Sequence, residues 1–376
     1  MIENQVNTFQ RKLEMINDIS VAKEILRNPI ADTYDFKSYL ISIQEESNRD
    51  LGSFITFCES SLVFQSGAIH LQNRRMIKDF FSVKSISKWD QLLTEEISEI
   101  IAKVKHDSSF EFLEKIANPI YMVLIRKIFG IHVEETEAQK FLAHILRTKD
   151  VVEAYVSIRK IEQIQESLSY LKSLVDDSFT NSFYSKESLL GLFSENGQAA
   201  ESNLIVGLIS AAHTTSETLS LIIYNLLAGE NNVFANAADM DWLKVRMDGL
   251  LRLFPTTQSI FRYAKDDLYV KELRYAKGTI FQLNVETINR NPCFLNEELI
   301  LSGEMESKCP FNHVSFGGGV HKCPGEELAR LTIKIALNKL ALEMPKIKLD
   351  YDKLELKKTT MINEPKVITI LNCGHE

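Results

Sequence analysis

The sequence predicts a mainly α fold with small β-sheets, held in one domain across all 376 residues. Three observations carry this expectation. Apolar residues recur at three- and four-residue spacing up to about residue 255, with few prolines to interrupt them. The pattern then changes to short β-leaning runs between Ser259 and Glu286. No internal repeat, low-complexity tract or Pro/Gly/Ser-rich linker divides the chain.

In chain order, the polar stretch Met1 to Lys12 lacks the basic, apolar and small-residue succession of a secretory signal, so a cytoplasmic protein is expected. Trp89 to Val104 and Ile158 to Val175 have the period of amphipathic helices. The longest apolar run, Leu204 to Leu227, is interrupted by His213, Thr214, Thr215, Ser216 and Glu217. It therefore falls short of the roughly 20 apolar residues that a membrane span needs, and one buried helix is expected. Leu268 to Val270 and Thr279 to Val285 read as strands with a turn between them at Lys277-Gly278. An irregular stretch, Asn289 to Phe316, precedes a helix from about Glu326 to Leu342 and β-leaning residues near Val367 to Leu371.

Composition narrows the function. With 45% hydrophobic and 25% charged residues, the chain has enough apolar material for a large core. A net charge of −8 weighs against general affinity for nucleic acid or an anionic membrane. The five cysteines (Cys58, Cys293, Cys309, Cys323, Cys373) are odd in number, scattered and free of any C-x-x-C pair, which disfavours a disulfide framework and a zinc site.

One cysteine has a special setting. The segment Phe316-Gly317-Gly318-Gly319-Val320-His321-Lys322-Cys323-Pro324-Gly325 is a glycine-rich loop that feeds a helix. Its glycines permit positive φ and let backbone pass close to a flat, bulky ligand. The positive end of a helix favours thiolate over thiol, and a thiolate is primed to bind a metal. This loop resembles the haem-binding loop of the cytochrome P450 family, F-x-x-G-x-[HR]-x-C-x-G, at Phe316, Gly319, His321, Cys323 and Gly325. The resemblance implies the P450 fold, with haem b between a long central helix and the helix after the cysteine loop. It makes Cys323 the axial iron ligand, and Phe316, Gly317 and Gly325 part of the cofactor's seat. Pro324 brings no N–H toward the sulfur, which implies a more electron-rich thiolate.

Other segments fit the same resemblance. Ala211-Ala212-His213-Thr214-Thr215 is similar to the family's central-helix motif [AG]-[AG]-x-[DE]-T. It implies that the Thr215 hydroxyl helps hold dioxygen and its water, and that Ala211 leaves room above the iron. By themselves, such hydroxyls bond back to carbonyls one turn earlier. The family's acid is replaced by Thr214, so proton delivery must differ, with Glu217 or His213 as candidate sources for a water chain. His70 and Arg74 resemble the family's H-x-x-x-R pattern; with Arg262 and His321 they are the expected partners of the haem propionates, which need cations when buried. Gly249 stands where the family's E-x-x-R glutamate would be, leaving Arg252 without that partner. Asp248, on an adjacent face, would replace it only if the helix rotated or the arginine reached around, so weaker local stability is expected.

The resemblance implies a monooxygenase that hydroxylates or epoxidises a small organic or carrier-tethered substrate, in natural-product or fatty-acid chemistry. Phe57 to Ala68, Leu208 to Ala211 and Thr256 to Phe261 are then expected to face the substrate. No flavin or dinucleotide fingerprint is present, so electrons are expected from a separate ferredoxin- or flavodoxin-type protein docking near Lys322, Arg75 and Lys78. The missing acid at 214 also suits a peroxide-using or redox-neutral haem-thiolate enzyme, and the two departures together suit a haem-binding sensor without oxidase activity.

Overall fold

The computed structural model of the protein describes residues 12–149, 157–195, 201–229, 233–291, 312–358 and 361–374. Most of the expected irregular stretch, with Cys293 and Cys309, lies outside these residues.

Helices form the bulk of the molecule. The central apolar run is two collinear pieces of sequence, Ser202–Ala212 and Thr214–Ala228, separated at His213. The expected buried helix is present, with a one-residue irregularity at His213, whose backbone stays helical (φ −60°, ψ −26°). Ser216 N–H donates to the His213 carbonyl at 3.1 Å, a bond across three residues that tightens the turn. Leu204, Ile205, Val206, Ile209, Leu219, Ile222 and Ile223 are buried, as an apolar helix inside a large core requires. The first piece packs on helices Ile158–Thr180 and Gly52–Ser60, and the second on Glu326–Glu343, the helix that follows the cysteine loop. That last helix also packs on Asp90–Ala102, and Ile333, Ala336 and Leu340 are among its buried residues. Among the described residues, no helix is long and apolar enough to cross a membrane.

Three small sheets complete the fold. The four-stranded sheet runs Leu13–Ile16, Ile280–Asn284, Ser259–Ala264, Ala31–Asp32, with its first pair parallel and the others antiparallel. Leu268–Val270 pairs with Leu273–Tyr275 as a separate hairpin, not with the later strand across Lys277-Gly278 as the sequence suggested. Lys271, at φ +52°, closes that hairpin early, and Gly278, at φ +89°, sends the chain on to the other sheet. The third sheet joins Ser109–Glu111, Asn363–Asn372 and Ile347–Lys358. Its edge strand Ile347–Lys358 escaped the sequence reading because only Ile347 and Leu349 are buried and the rest is largely charged, as edge strands often are.

The first helix, Ile19–Arg27, lies against the cysteine loop. Gly319 sits there at φ +65°, and a Cβ on it would come 2.0 Å from the Leu26 carbonyl oxygen. Neither backbone can yield without moving an element, so Gly319→Ala should cost roughly 3 kcal/mol in thermal or denaturant unfolding. Gly278→Ala, with open space around its Cβ, should cost only the left-handed strain, about 1 kcal/mol.

Candidate functional site

The cysteine loop is closed by its own backbone: Cys323 N–H donates to Phe316 O at 2.9 Å and Gly317 N–H to Val314 O at 2.8 Å. Gly317 and Gly319 adopt positive φ, which makes this tight path possible. Cys323 precedes the Glu326–Glu343 helix, where Gly325 is the N-cap. Cys323 is exposed, while desolvation by the surrounding protein raises its thiol above its ordinary range. Against that desolvation, the Gly325 N–H and the Arg74 guanidinium favour the thiolate. Pro324 therefore removes one donor while Gly325 supplies another.

Around the same loop the structure gathers cations. The rings of His70 and His321 are 4.1 Å apart. Burial, then the nearby His321 and Arg74 charges, push His70 down to about 4, which favours its neutral imidazole form at neutral pH. Arg74 is half-buried, with no carboxylate within ion-pair distance among the described residues. Arg262 is buried; its Nη1 donates to the Phe261 carbonyl at 2.7 Å while its Nε has no partner. Loss of hydration pushes Arg262 down to about 10. The carboxylate in this neighbourhood is Asp32, unforeseen from sequence, 3.4 Å from His321 Nε2 and 2.7 Å from Lys265 Nζ. Burial works against its charge, but those two partners hold Asp32 well below the usual carboxylate range. Asp32 attracts Arg262 only at a distance, and neither Arg74 nor Arg262 has a carboxylate within ion-pair distance among the described residues, which fits a bound dicarboxylate such as haem.

On the central helix, Ala211 is exposed while Leu208, Ile209 and His213 around it are buried. Thr214 Oγ1 donates to the Ala211 carbonyl at 2.8 Å, the ordinary back-bond of a helical threonine. Thr215, in contrast, is buried and its hydroxyl has no partner among the described residues. Of the segments expected near substrate, Phe57 packs its ring against Phe54 and Phe64, and the Thr256 hydroxyl is shared with Thr218 at 2.8 Å.

Comparison with known proteins bears on this constellation. A model of the family "Cytochrome P450" matches residues 228–362, a span that contains the cysteine loop. The biotin biosynthesis cytochrome P450 of Bacillus subtilis (strain 168) is 23% identical over 295 residues, 77% of this chain and 74% of that protein. The chain is thus similar to cytochromes P450 over about three quarters of its length, with the family's model matching the part that holds the cysteine loop. The same organism's polyketide biosynthesis cytochrome P450 PksS is 22% identical over 303 residues, 78% of this chain and 73% of that one. The crystal structure of P450BioI in complex with hexadec-9Z-enoic acid ligated acyl carrier protein superposes with a TM-score of 0.81 at 19% identity, covering 95% of this chain and 92% of that one. This P450 is accordingly a haem-iron oxidoreductase of the monooxygenase class.

The departure at Gly249 is answered by a different lock. Arg252 Nη1 donates to the Asn289 carbonyl at 2.5 Å, and Asn289 Nδ2 donates back to the Arg252 carbonyl at 3.0 Å. Asn289 also donates to Ser315 Oγ at 2.9 Å and accepts from Val314 N–H at 2.9 Å; Ser315 Oγ donates to Leu251 O at 2.8 Å. The helix Met240–Leu253 is thus tied directly to the start of the cysteine loop. Asp248 does not reach Arg252. It pairs with Arg330 on the cysteine helix at 2.6 Å, and Arg330 in turn pairs with Glu326 at 3.0 Å and lies over the Phe316 ring. The Glu326–Arg330 pair has the i,i+4 spacing that sequence alone offers as a signal; Asp32 and Asn289 had none.

Asn289 is fully buried and satisfies four groups at once. Asn289→Ala should lower unfolding stability by about 2–3 kcal/mol and speed haem loss to a scavenger apoprotein. Asp248→Ala, at an exposed ion pair, should cost no more than about 1 kcal/mol.

Proposed function

We propose that this P450 holds haem b on Cys323 and hydroxylates or epoxidises an acyl or other small organic chain carried on an acyl carrier protein, in biosynthesis. The observation that carries the cofactor assignment is the exposed Cys323 near Arg74, with Arg74 and Arg262 both lacking a carboxylate within ion-pair distance among the described residues. When bound, the haem supplies the oxygen chemistry, and its iron is electron-rich because the ligand is a thiolate. The chain's residues do the rest. Arg74, Arg262, His70 and His321 would hold the propionates, Gly317 and Gly325 admit the flat ring, and Phe316 packs against the loop. Ala211 leaves space over the ring, and the free Thr215 hydroxyl is the polar group available there. The carrier-tethered substrate is supported by the likeness to P450BioI, whose structure contains an acyl carrier protein with a hexadecenoyl chain, and by biosynthetic relatives for biotin and polyketide.

Electrons come, in this reading, from a separate ferredoxin- or flavodoxin-type protein. Behind the cysteine loop lies a hollow of about 200 Å³ lined by Lys23, Arg27, Phe316, Lys322, Glu326 and Arg330 among others. Four cations against one carboxylate make this face complementary to an acidic donor. The protein is expected to act in the cytoplasm, where such donors and carrier proteins are found.

The reduced, carbon-monoxide-bound protein should show the red-shifted Soret band of thiolate-ligated haem, and Cys323→Ser should abolish it; a histidine-like spectrum in the unaltered protein would refute the ligand. In spectral titrations, a long acyl chain on carrier protein should bind at least about tenfold more tightly than the free acid, about 1.4 kcal/mol. Equal affinities would remove the carrier from the proposal. Reversing charge at Arg27 and Lys322 to Glu should slow reduction by an acidic ferredoxin several-fold at low salt, with the difference shrinking as salt screens it.

A further inference from the structure

The hollow behind the cysteine loop carries more positive charge than its own acid can balance. Its volume is about 200 Å³, and Lys23, Arg27, Lys322 and Arg330 line it together with Glu326 and His313. A water takes up about 30 Å³ of liquid, so the space suits a polyatomic group better than a single small ion. Glu326 is already engaged: its carboxylate pairs with Lys322 Nζ at 2.6 Å and with Arg330 at 3.0 Å, and Arg330 also reaches Asp248 at 2.6 Å. Arg27, exposed in the last turn of the Ile19–Arg27 helix, has no carboxylate within ion-pair distance among the described residues. Burial first, then the Arg27 and Lys322 charges, hold Lys23 below its ordinary range. The neighbouring charges that move Lys23 are thus repulsive ones, as happens where cations outnumber anions.

The wall of the hollow also offers a directional donor. The His313 side chain is only 5% exposed. Its Nδ1 accepts from Ser315 N–H at 3.3 Å, which leaves the proton of the neutral ring on Nε2. Burial, then the Arg330 charge, push His313 down to about 4 and favour that neutral form. Nε2–H has no hydrogen-bond acceptor among the described residues; the Asp248 carboxylate lies at 3.9 Å, beyond hydrogen-bond reach. A buried donor without an acceptor is unfavourable, and an acceptor held in the hollow relieves it.

We propose that this hollow is a binding site for a small phosphate-bearing anion, held by Arg27 and Lys23 and by the His313 N–H. A phosphate group carries about −1.5 to −2 charges at neutral pH and three strong acceptor oxygens, so it meets both needs at once. A carboxylate brings a single charge. The planar fork of Arg27 suits two phosphate oxygens, and Lys23 adds a point charge. The haem seat is a different place: Arg74, Arg262, His70 and His321 do not line this hollow. The site depends on neither the substrate nor the electron-donor reading, although an anion bound here withholds the face from an acidic donor.

Equilibrium dialysis of the haem-loaded enzyme against radiolabelled inorganic pyrophosphate, at an ionic strength fixed with potassium chloride, should show saturable binding. Arg27→Gln/Lys23→Gln should weaken it at least about tenfold. Arg27→Lys, which keeps the charge but not the fork, should weaken it less than Arg27→Gln does. Lys348→Gln/Lys353→Gln removes the same charge from a strand outside the hollow and should leave binding within about twofold of the unaltered enzyme. Absence of saturation would overturn the site, as would equal binding by the unaltered and Arg27→Gln/Lys23→Gln enzymes. An equal loss in the Lys348→Gln/Lys353→Gln enzyme would do the same, because it marks diffuse attraction to the cations of the whole chain. Saturating pyrophosphate should also slow reduction by an acidic ferredoxin several-fold at the same ionic strength. Unaltered reduction with binding intact would take the donor off this face and leave the anion site standing, so the two readings fail separately.

Discussion

The site is organised around an imbalance of buried charge. Arg74 and Arg262 are drawn out of water while Asp32, the carboxylate near them, is already shared by His321 and Lys265. Unpaired guanidiniums in a low-dielectric interior are unfavourable, and among the described residues no second acid lies within ion-pair distance of them. A ligand with two carboxylates converts that debt into attraction, so cofactor binding and folding stability are coupled. The four cationic or imidazole groups come from an early helix, a strand of the four-stranded sheet and the cysteine loop. Charge therefore ties together parts of the sequence that share few other contacts.

The second organising feature is the way the cysteine loop is held without the family's usual glutamate. A side-chain amide, Asn289, replaces an ion pair by bonding the Arg252 guanidinium through its own carbonyl and the loop through its side chain. A neutral amide loses less on burial than a carboxylate does, although the Arg252 charge itself is still penalised by burial. The freed Asp248 reaches outward to Arg330, so an exposed bridge supplements the buried one. The lock has been redistributed between an interior network and a surface pair.

Much of this was legible in the sequence where the signal was local. The cysteine loop announced itself in ten consecutive residues, and the helices on either side of it in their apolar period. The strand Ser259–Ala264 and the helix Glu326–Glu343 fall where the periodicity changes. What escaped was non-local. Lys149 meets Glu217 across 68 residues and Arg252 meets Asn289 across 37, and no spacing rule reaches so far. Asp32 lies in a two-residue strand with no pattern of its own. The irregularity at His213 was signalled by five polar residues in an apolar run, but its backbone form depends on hydrogen bonds that composition does not encode. Strand pairing failed for a similar reason: Lys271 in a left-handed conformation redirected the chain before the glycine turn.

The contact between Gly319 and the Leu26 carbonyl joins the beginning of the chain to a loop near its end. During synthesis from the N-terminus, the Ile19–Arg27 helix emerges long before the loop it must meet. The loop and its thiol therefore take their final shape only after almost the whole chain is available. The cation-rich seat, which needs Arg262 and His321 beside Arg74, is in this sense completed late on the assembly line.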